Sequence, residues 1–203
     1  MKRICIIQTG MGSSAELSSL CTEIIPEANV IQIIDDGILQ EVRSLGRLTP
    51  AVGRRMYAYC QQAQAAGADV ILYPCVAVSG LVEQIQPFLD IPIVRIDEGM
   101  ARQAVRTGRQ MAVFATEPLA LEQSVRLLNR RAEEAGRKVT LTPVLLKNAP
   151  ETVRAAAEQA CAGNDLLLLA QPSMTGLLPL LEGLSRPVLH CSRIGIEYLK
   201  NCL

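Results

Sequence analysis

The sequence predicts an α/β fold of two similar lobes, each a parallel sheet flanked by helices, related by a pseudo-twofold axis with a ligand cleft between them. Three observations point there. Short apolar segments alternate with helical stretches along the whole chain, glycines mark helix exits just before strands, and one thirteen-residue segment is echoed later.

Residues 3–9 (RICIIQT) are a short β-branched run, too brief for a helix, and read as the first strand. A helix over 15–25 and a strand over 30–34 follow. A long helix at 50–66 leads to strands 69–75 and 91–96, with a helix at 79–89 between them and one at 99–107 after. The second half continues in kind, with strands at 110–116, 139–146, 165–170 and 187–191 and helices at 119–135, 151–162, 176–184 and 194–201. Strands that alternate with helices and are apolar throughout belong to parallel sheets covered on both faces. Gly67, Gly108, Gly136 and Gly163 stand where left-handed helix exits are expected.

The echo pairs DVILYPCVAVSGL (69–81) with DLLLLAQPSMTGL (165–177), 96 positions apart. At that offset Cys75 matches Gln171, Ser79 matches Thr175, Gly80 matches Gly176 and Leu81 matches Leu177. The first strand of each half ends in threonine, Thr9 and Thr116. Any two βα units look somewhat alike, but a constant offset across several residue types favours duplicated lobes. The expected division is residues 1–97 plus 192–203 in one lobe and 98–191 in the other.

Composition narrows the function. The chain has 203 residues, 49% of them hydrophobic, and its 20 Lys and Arg balance its 20 Asp and Glu. A nucleic-acid groove or an anionic membrane surface needs a basic excess that is missing, so neither partner is expected. No apolar run approaches the roughly 20 residues that span a bilayer, and residues 1–9 are too short for a secretory core, so a cytoplasmic protein is expected. Seven scattered cysteines without a Cys-x-x-Cys pair argue against a disulfide framework and a zinc site.

Ligands of open parallel sheets lie beyond the carboxyl ends of the strands. Facing lobes would therefore present Gln8, Thr9 and Cys75 from one side and Thr116, Gln171 and Ser173 from the other. Backbone N–H groups at each corner, including those near Val76 and Ala77, can receive a carboxylate. A helix start there is expected to lower the Cys75 pKa, and thiolate is the reactive form of cysteine. GMGSS (10–14) lacks the spacing of a dinucleotide loop and reads as a plain βα turn. His190, the only histidine, reads as buried and hydrogen-bonded, and Asp35 with Asp36 as a turn and helix cap. Arg47, in the loop before the long helix, is a candidate carboxylate partner or a solvated arginine.

The chain resembles the aspartate/glutamate/hydantoin racemase superfamily over nearly its whole length. The resemblance rests on GADVIL running into Cys75, on IIDDGILQEV (33–42) with GRLTPAVGRRM (46–56), on IDEGMARQAVRTGRQMAVFAT (96–116), and on DLLLLAQPSM. It implies two α/β lobes, a cleft site, chemistry next to a carboxylate without cofactor or metal, and assembly as a homodimer or larger homo-oligomer. In the two-base racemases of this family one cysteine removes the α-proton and a second returns one from the opposite face. Here Gln171 stands at the second cysteine's place, and an amide cannot exchange a proton at neutral pH. The family's Cys-Ser-Ser is Cys75-Val76-Ala77, a more apolar wall.

Three functional classes stay open. The first is an isomerase or lyase acting at the α-carbon of a small carboxylate through Cys75 alone. The second is a two-base amino-acid or hydantoin racemase with a substitute base such as Ser173. The third is a catalytically silent carboxylate-binding protein. Cys75 and Gln171 are the candidate catalytic positions, and Gln8, Thr9, Arg47, Val76, Ala77, Thr116 and Ser173 the candidate substrate-binding ones.

Overall fold

A computed structural model describes residues 2–147 and 149–203. It contains two four-stranded parallel sheets of the same topology. The first has the order β2-β1-β3-β4, built from β1 (Arg3–Gln8), β2 (Asn29–Ile34), β3 (Val70–Tyr73) and β4 (Ile93–Arg95). The second has the order β6-β5-β7-β8, from β5 (Gln110–Ala115), β6 (Thr140–Leu145), β7 (Leu166–Leu169) and β8 (Val188–His190). The helices are α1 (Ser14–Ile24), α2 (Asp36–Leu45), α3 (Pro50–Ala65), the one-turn α4 (Val82–Ile85), α5 (Glu98–Thr107), α6 (Pro118–Glu134), α7 (Ala149–Cys161) and α8 (Cys191–Lys200). All eight expected strands are present.

The echo has a physical basis at its aspartate, corner, hydroxyl and leucine positions. Asp69 accepts the Arg3 backbone N–H at 2.7 Å, and Asp165 accepts those of Arg109 and Gln110 at 3.0 and 2.9 Å. Each aspartate thus ties the start of the central strand pair in its own sheet. After the strand, the Ser79 hydroxyl donates to the Val76 carbonyl and the Thr175 hydroxyl to the Pro172 carbonyl, both at 2.8 Å. The corner itself closes through Val78 N–H to the Cys75 carbonyl and Met174 N–H to the Gln171 carbonyl. Leu81 and Leu177 then drop into the core.

Two elements differ from the sequence expectation. The segments after the corners are largely 3₁₀ turns, Val76–Leu81 and Pro172–Leu181, instead of the α-helices expected at 79–89 and 176–184. Prolines at 87, 172 and 179 remove donors that a continuous α ladder needs. Conversely, α2 runs for ten residues after the turn and helix cap expected at Asp35 and Asp36, where no helical span was expected. Asp35 caps it by accepting the Gly37 N–H at 3.1 Å, Ile38 and Val42 are buried on one face, and Gly46 ends it at φ 63°.

One apolar cluster joins the halves. Ile4, Ile6, Val70 and Leu72 of the first sheet share it with Met111, Val113, Leu166 and Leu168 of the second, through residues of α5 and α8. Separate clusters cover the other face of each sheet. The last helix, α8, packs on both α1 and α5. Its crossing with α5 is very close: a Cβ on Gly195 would sit 2.1 Å from the Ile96 carbonyl oxygen, and one on Gly99 2.7 Å from that of Ile194. A methyl group at either place must displace main chain, so α8 is locked in position by glycine. No helix among the described residues is long and apolar enough to cross a membrane.

Candidate functional site

The shared topology brings the two corners together. A cleft of about 340 Å³ is lined on one side by Gln8, Thr9, residues 10–13, Leu39, Arg43 and residues 74–77, and on the other by Gln171, Pro172 and Ser173. Cys75 and Gln171 therefore open onto one cavity, each immediately beyond a strand and its single linking residue. Gln8, Thr9, Val76, Ala77 and Ser173 line it with them. Two other candidates do not. Arg47 is exposed in the turn between α2 and α3, away from the lining, and Thr116 lies behind Gln171.

Gln171 is held firmly. Its Oε1 accepts the Thr116 backbone N–H at 2.7 Å and the Thr116 hydroxyl at 3.1 Å. With the carbonyl end committed to two donors, the NH₂ end is left as the donor for a ligand. The backbone is braced as well, because His190 Nε2 lies 3.0 Å from the Gln171 carbonyl oxygen and donates to it. Burial holds the His190 pKa below its ordinary value, against the opposing influence of that hydrogen bond and of Glu16. The ring is neutral at pH 7, and its place is structural support of the corner. The Thr175 hydroxyl, in the same corner, also lies 2.7 Å from Glu16 Oε1 of α1 and shares its one proton between that carboxylate and the Pro172 carbonyl, which ties the second half to the first beside the cleft.

Cys75 is half-buried at the cleft wall. Burial pushes its thiol pKa up, and the Thr9 hydroxyl, the Val78 and Ala77 backbone N–H groups and the Arg43 guanidinium only partly oppose this. The lowered pKa expected from a helix N-terminus is therefore corrected: the net shift is upward. Burial is the first reason, and the corner adds to it, because six residues of 3₁₀ turn supply two oriented N–H groups instead of the aligned dipoles of a long helix. Alkylation of Cys75 by iodoacetamide, followed by peptide mapping, is expected to show a pH midpoint above the roughly 8.5 of a free thiol. A midpoint below pH 8 would contradict this account of the corner.

The arginine in the cleft is Arg43. On α2 it follows Leu39 by one turn, so both face the cleft while Ile38 and Val42 face the core. Its Nη2 and Nε lie 2.6 and 2.9 Å from Glu117 Oε1, across from one half to the other at the cleft mouth. Reading residues 36–45 as an amphipathic helix would have found it. Asp35 is a cap and a brace for α3, accepting from the Tyr59 hydroxyl at 2.6 Å and from Arg55. Residues 10–13, expected to be a plain turn, form part of the wall, with Met11 largely exposed. Among the described residues no group of three His, Cys, Asp or Glu side chains is placed to hold a metal ion.

The profile of the Asp/Glu/hydantoin racemases matches residues 10–199, which takes in both corners and every wall of the cleft beyond Thr9. The chain belongs to the Asp/Glu/hydantoin racemase family. Solved structures agree on the fold at low identity. Glutamate racemase from Aquifex pyrophilus superposes with a TM-score of 0.74 at 17% identity, covering 99% of this chain and 84% of that one. Allantoin racemase from Klebsiella pneumoniae gives 0.72 at 14%, covering 99% and 87%. Aspartate racemase from Picrophilus torridus gives 0.69 at 11%, covering 100% and 94%. No curated protein sequence matches the chain. Among the described residues, the cleft lining of this family member holds one thiol, Cys75, two hydrogen-bonded amides, Gln8 and Gln171, and one paired guanidinium, Arg43.

Proposed function

We propose that the protein is a cofactor-independent lyase or isomerase that delivers a single proton, from Cys75, to the α-carbon of a small carboxylate. The observation that carries this reading is the asymmetry of the cleft. Cys75 stands on one side and a hydrogen-bonded glutamine amide on the other, and among the described residues Cys75 and Arg43 are the only titratable side chains in the lining. A thiol whose pKa is raised is protonated at neutral pH and suits proton donation better than proton abstraction.

A carbanion that forms without a base is what such a site can use. Loss of CO₂ from a substrate with two carboxyl groups on one carbon provides it. The electrons of the breaking C–C bond stay on the α-carbon and delocalise into the remaining carboxylate as an enediolate. The Gln171 NH₂ group can donate to one of its oxygens. Cys75 then transfers its proton to the carbon, and the thiolate left behind recovers a proton from water. An isomerase variant would use the same thiol twice: Cys75, as thiolate, takes the γ-proton of an α,β-unsaturated carboxylate to give a dienolate and then returns a proton to the α-carbon as the double bond moves to β,γ. Ser173 lines the cleft opposite Cys75, but no general base in the lining activates its hydroxyl, which disfavours the two-base alternative.

The test is a panel of small 2-substituted malonates and unsaturated carboxylates incubated with the protein in D₂O and followed by proton NMR. At least one compound is expected to lose CO₂ or isomerise with deuterium gained at the α-carbon. Cys75→Ala is expected to slow this by about 10²- to 10⁴-fold. Conversion that is unaffected in Cys75→Ala, or no conversion across the panel, would remove the proposal.

A further inference from the structure

Beside the main cleft lies a smaller cavity of about 130 Å³ lined by Leu39, Val42, Gly46, Ala77, Pro118 and Leu119 together with Arg43 and Glu117. The two cavities share Leu39, Arg43 and Ala77, so Arg43, paired with Glu117 on the side of the smaller cavity, stands between them with Leu39 and Ala77. Apart from that pair the small cavity is walled by apolar side chains and a glycine. The pair occupies the Nε–Nη2 edge of the guanidinium, the edge that accepts a carboxylate through two parallel hydrogen bonds. Half of the Arg43 side chain is exposed, and among the described residues it is the one cation in the cleft lining.

We propose that Glu117 holds Arg43 in reserve, that a ligand carboxylate takes over this guanidinium edge, and that release of Glu117 to solvent joins the side cavity to the cleft. The substrate class follows. It is a carboxylate bearing a short apolar substituent, branched alkyl or similar, which fills the space between Leu39, Val42, Pro118 and Leu119. This deepens the proposed function and rests on its placement of the ligand beside Cys75. Glu117 acts as an internal competitor: it screens the cation from anions too small to fill the side cavity, because these gain only the exchange of one carboxylate for another. An apolar substituent adds burial that Glu117 cannot match.

The gate can be read without a known substrate by comparing two alkylating agents at Cys75. Iodoacetate and iodoacetamide consume the same thiolate, so the ratio of their rate constants cancels any change in the Cys75 pKa and reports the charge the reagent meets. At low ionic strength Glu117→Gln is expected to raise the iodoacetate-to-iodoacetamide ratio about fivefold, by freeing a guanidinium a few ångströms from the reagent. Arg43→Gln should lower it by a similar factor, and the double variant should behave as Arg43→Gln. A ratio unchanged or lowered in Glu117→Gln overturns the gate.

Protection of wild-type Cys75 from iodoacetamide tests the substrate class. 4-Methylpentanoate should protect at a concentration about tenfold lower than acetate, from burial of its added carbons. Equal protection by the two overturns the class. Failure here is distinguishable from failure of the proposed function. Alkylation ratios that respond while no compound of the panel is converted leave the gate standing without the reaction, and conversion with an unresponsive ratio leaves the reaction without the gate.

Discussion

Asp97→Ala is expected to cost the fold about 3–5 kcal/mol, a large share of the roughly 5–15 kcal/mol that holds a typical domain together. Asp97 and Arg95 form a buried pair at the end of β4, with side chains 1% and 5% exposed. Arg95 Nε and Nη2 donate to the two carboxylate oxygens at 2.9 and 2.7 Å, and Nη2 also reaches the Gln123 carbonyl of α6 at 3.3 Å. Cutting the carboxylate away leaves a guanidinium inside the protein with one weak acceptor, and that desolvated charge is the origin of the cost. The measurement is urea unfolding, in which the midpoint should fall with little change in slope. Replacing both partners, as Arg95→Met with Asp97→Leu, should recover most of the loss, since no uncompensated charge then remains. The pair lies where the chain passes from β4 into α5, so its loss loosens the joint between the halves.

Gln171→Cys is expected to raise racemase activity well above that of the natural chain. The backbone corner at 171 matches that at 75 in its closing hydrogen bond and its side-chain tie, so a thiol there faces the same cavity from the opposite side. Two thiols on opposite faces allow one to remove the α-proton while the other supplies one. Enantiomer interconversion of some small amino or hydroxy acid, followed by chiral chromatography, should appear in Gln171→Cys. Adding Cys75→Ala should abolish it, because two groups that act as a unit are strongly non-additive. The substitution also removes the acceptor of Thr116, at a cost of about 1–3 kcal/mol. A variant that folds and labels at both thiols yet racemises nothing would mean that the apolar walls at Val76, Ala77 and Leu119 have changed the substrate class.

Much of this was legible in the residues. Strands announce themselves because buried parallel strands are short unbroken apolar runs, as in VILY and LLLL. The cleft followed from the repeat, since equal offsets in two halves of like topology place Cys75 and Gln171 at equivalent corners. What escaped depended on contacts distant in sequence. Arg43 is not evident from the sequence because the cap at Asp35 and Asp36 marks where a helix starts but not how far it runs, and Arg47 in the following loop is the more conspicuous arginine. Thr116 belongs to the site through Gln171, 55 residues on, and not as a contact of the cleft. The upward Cys75 pKa shift is not legible because it depends first on the burial of the thiol in the folded cleft and then on the corner being 3₁₀ instead of an α-helix start. Arg95 and Asp97, two apart at a strand end, look like surface charges until α6 is folded over them.

The central claim is that one thiol serves one face of the substrate. It is tested most directly by the stereochemistry of the deuterium that enters the α-carbon when a converted compound is turned over in D₂O. A single enantiomer of labelled product, with no further exchange on long incubation and no label at that carbon in Cys75→Ala, is the predicted result. A racemic labelled product, or product whose α-proton keeps washing out from both enantiomers, would show that a second proton-transfer group faces Cys75 and would contradict the account.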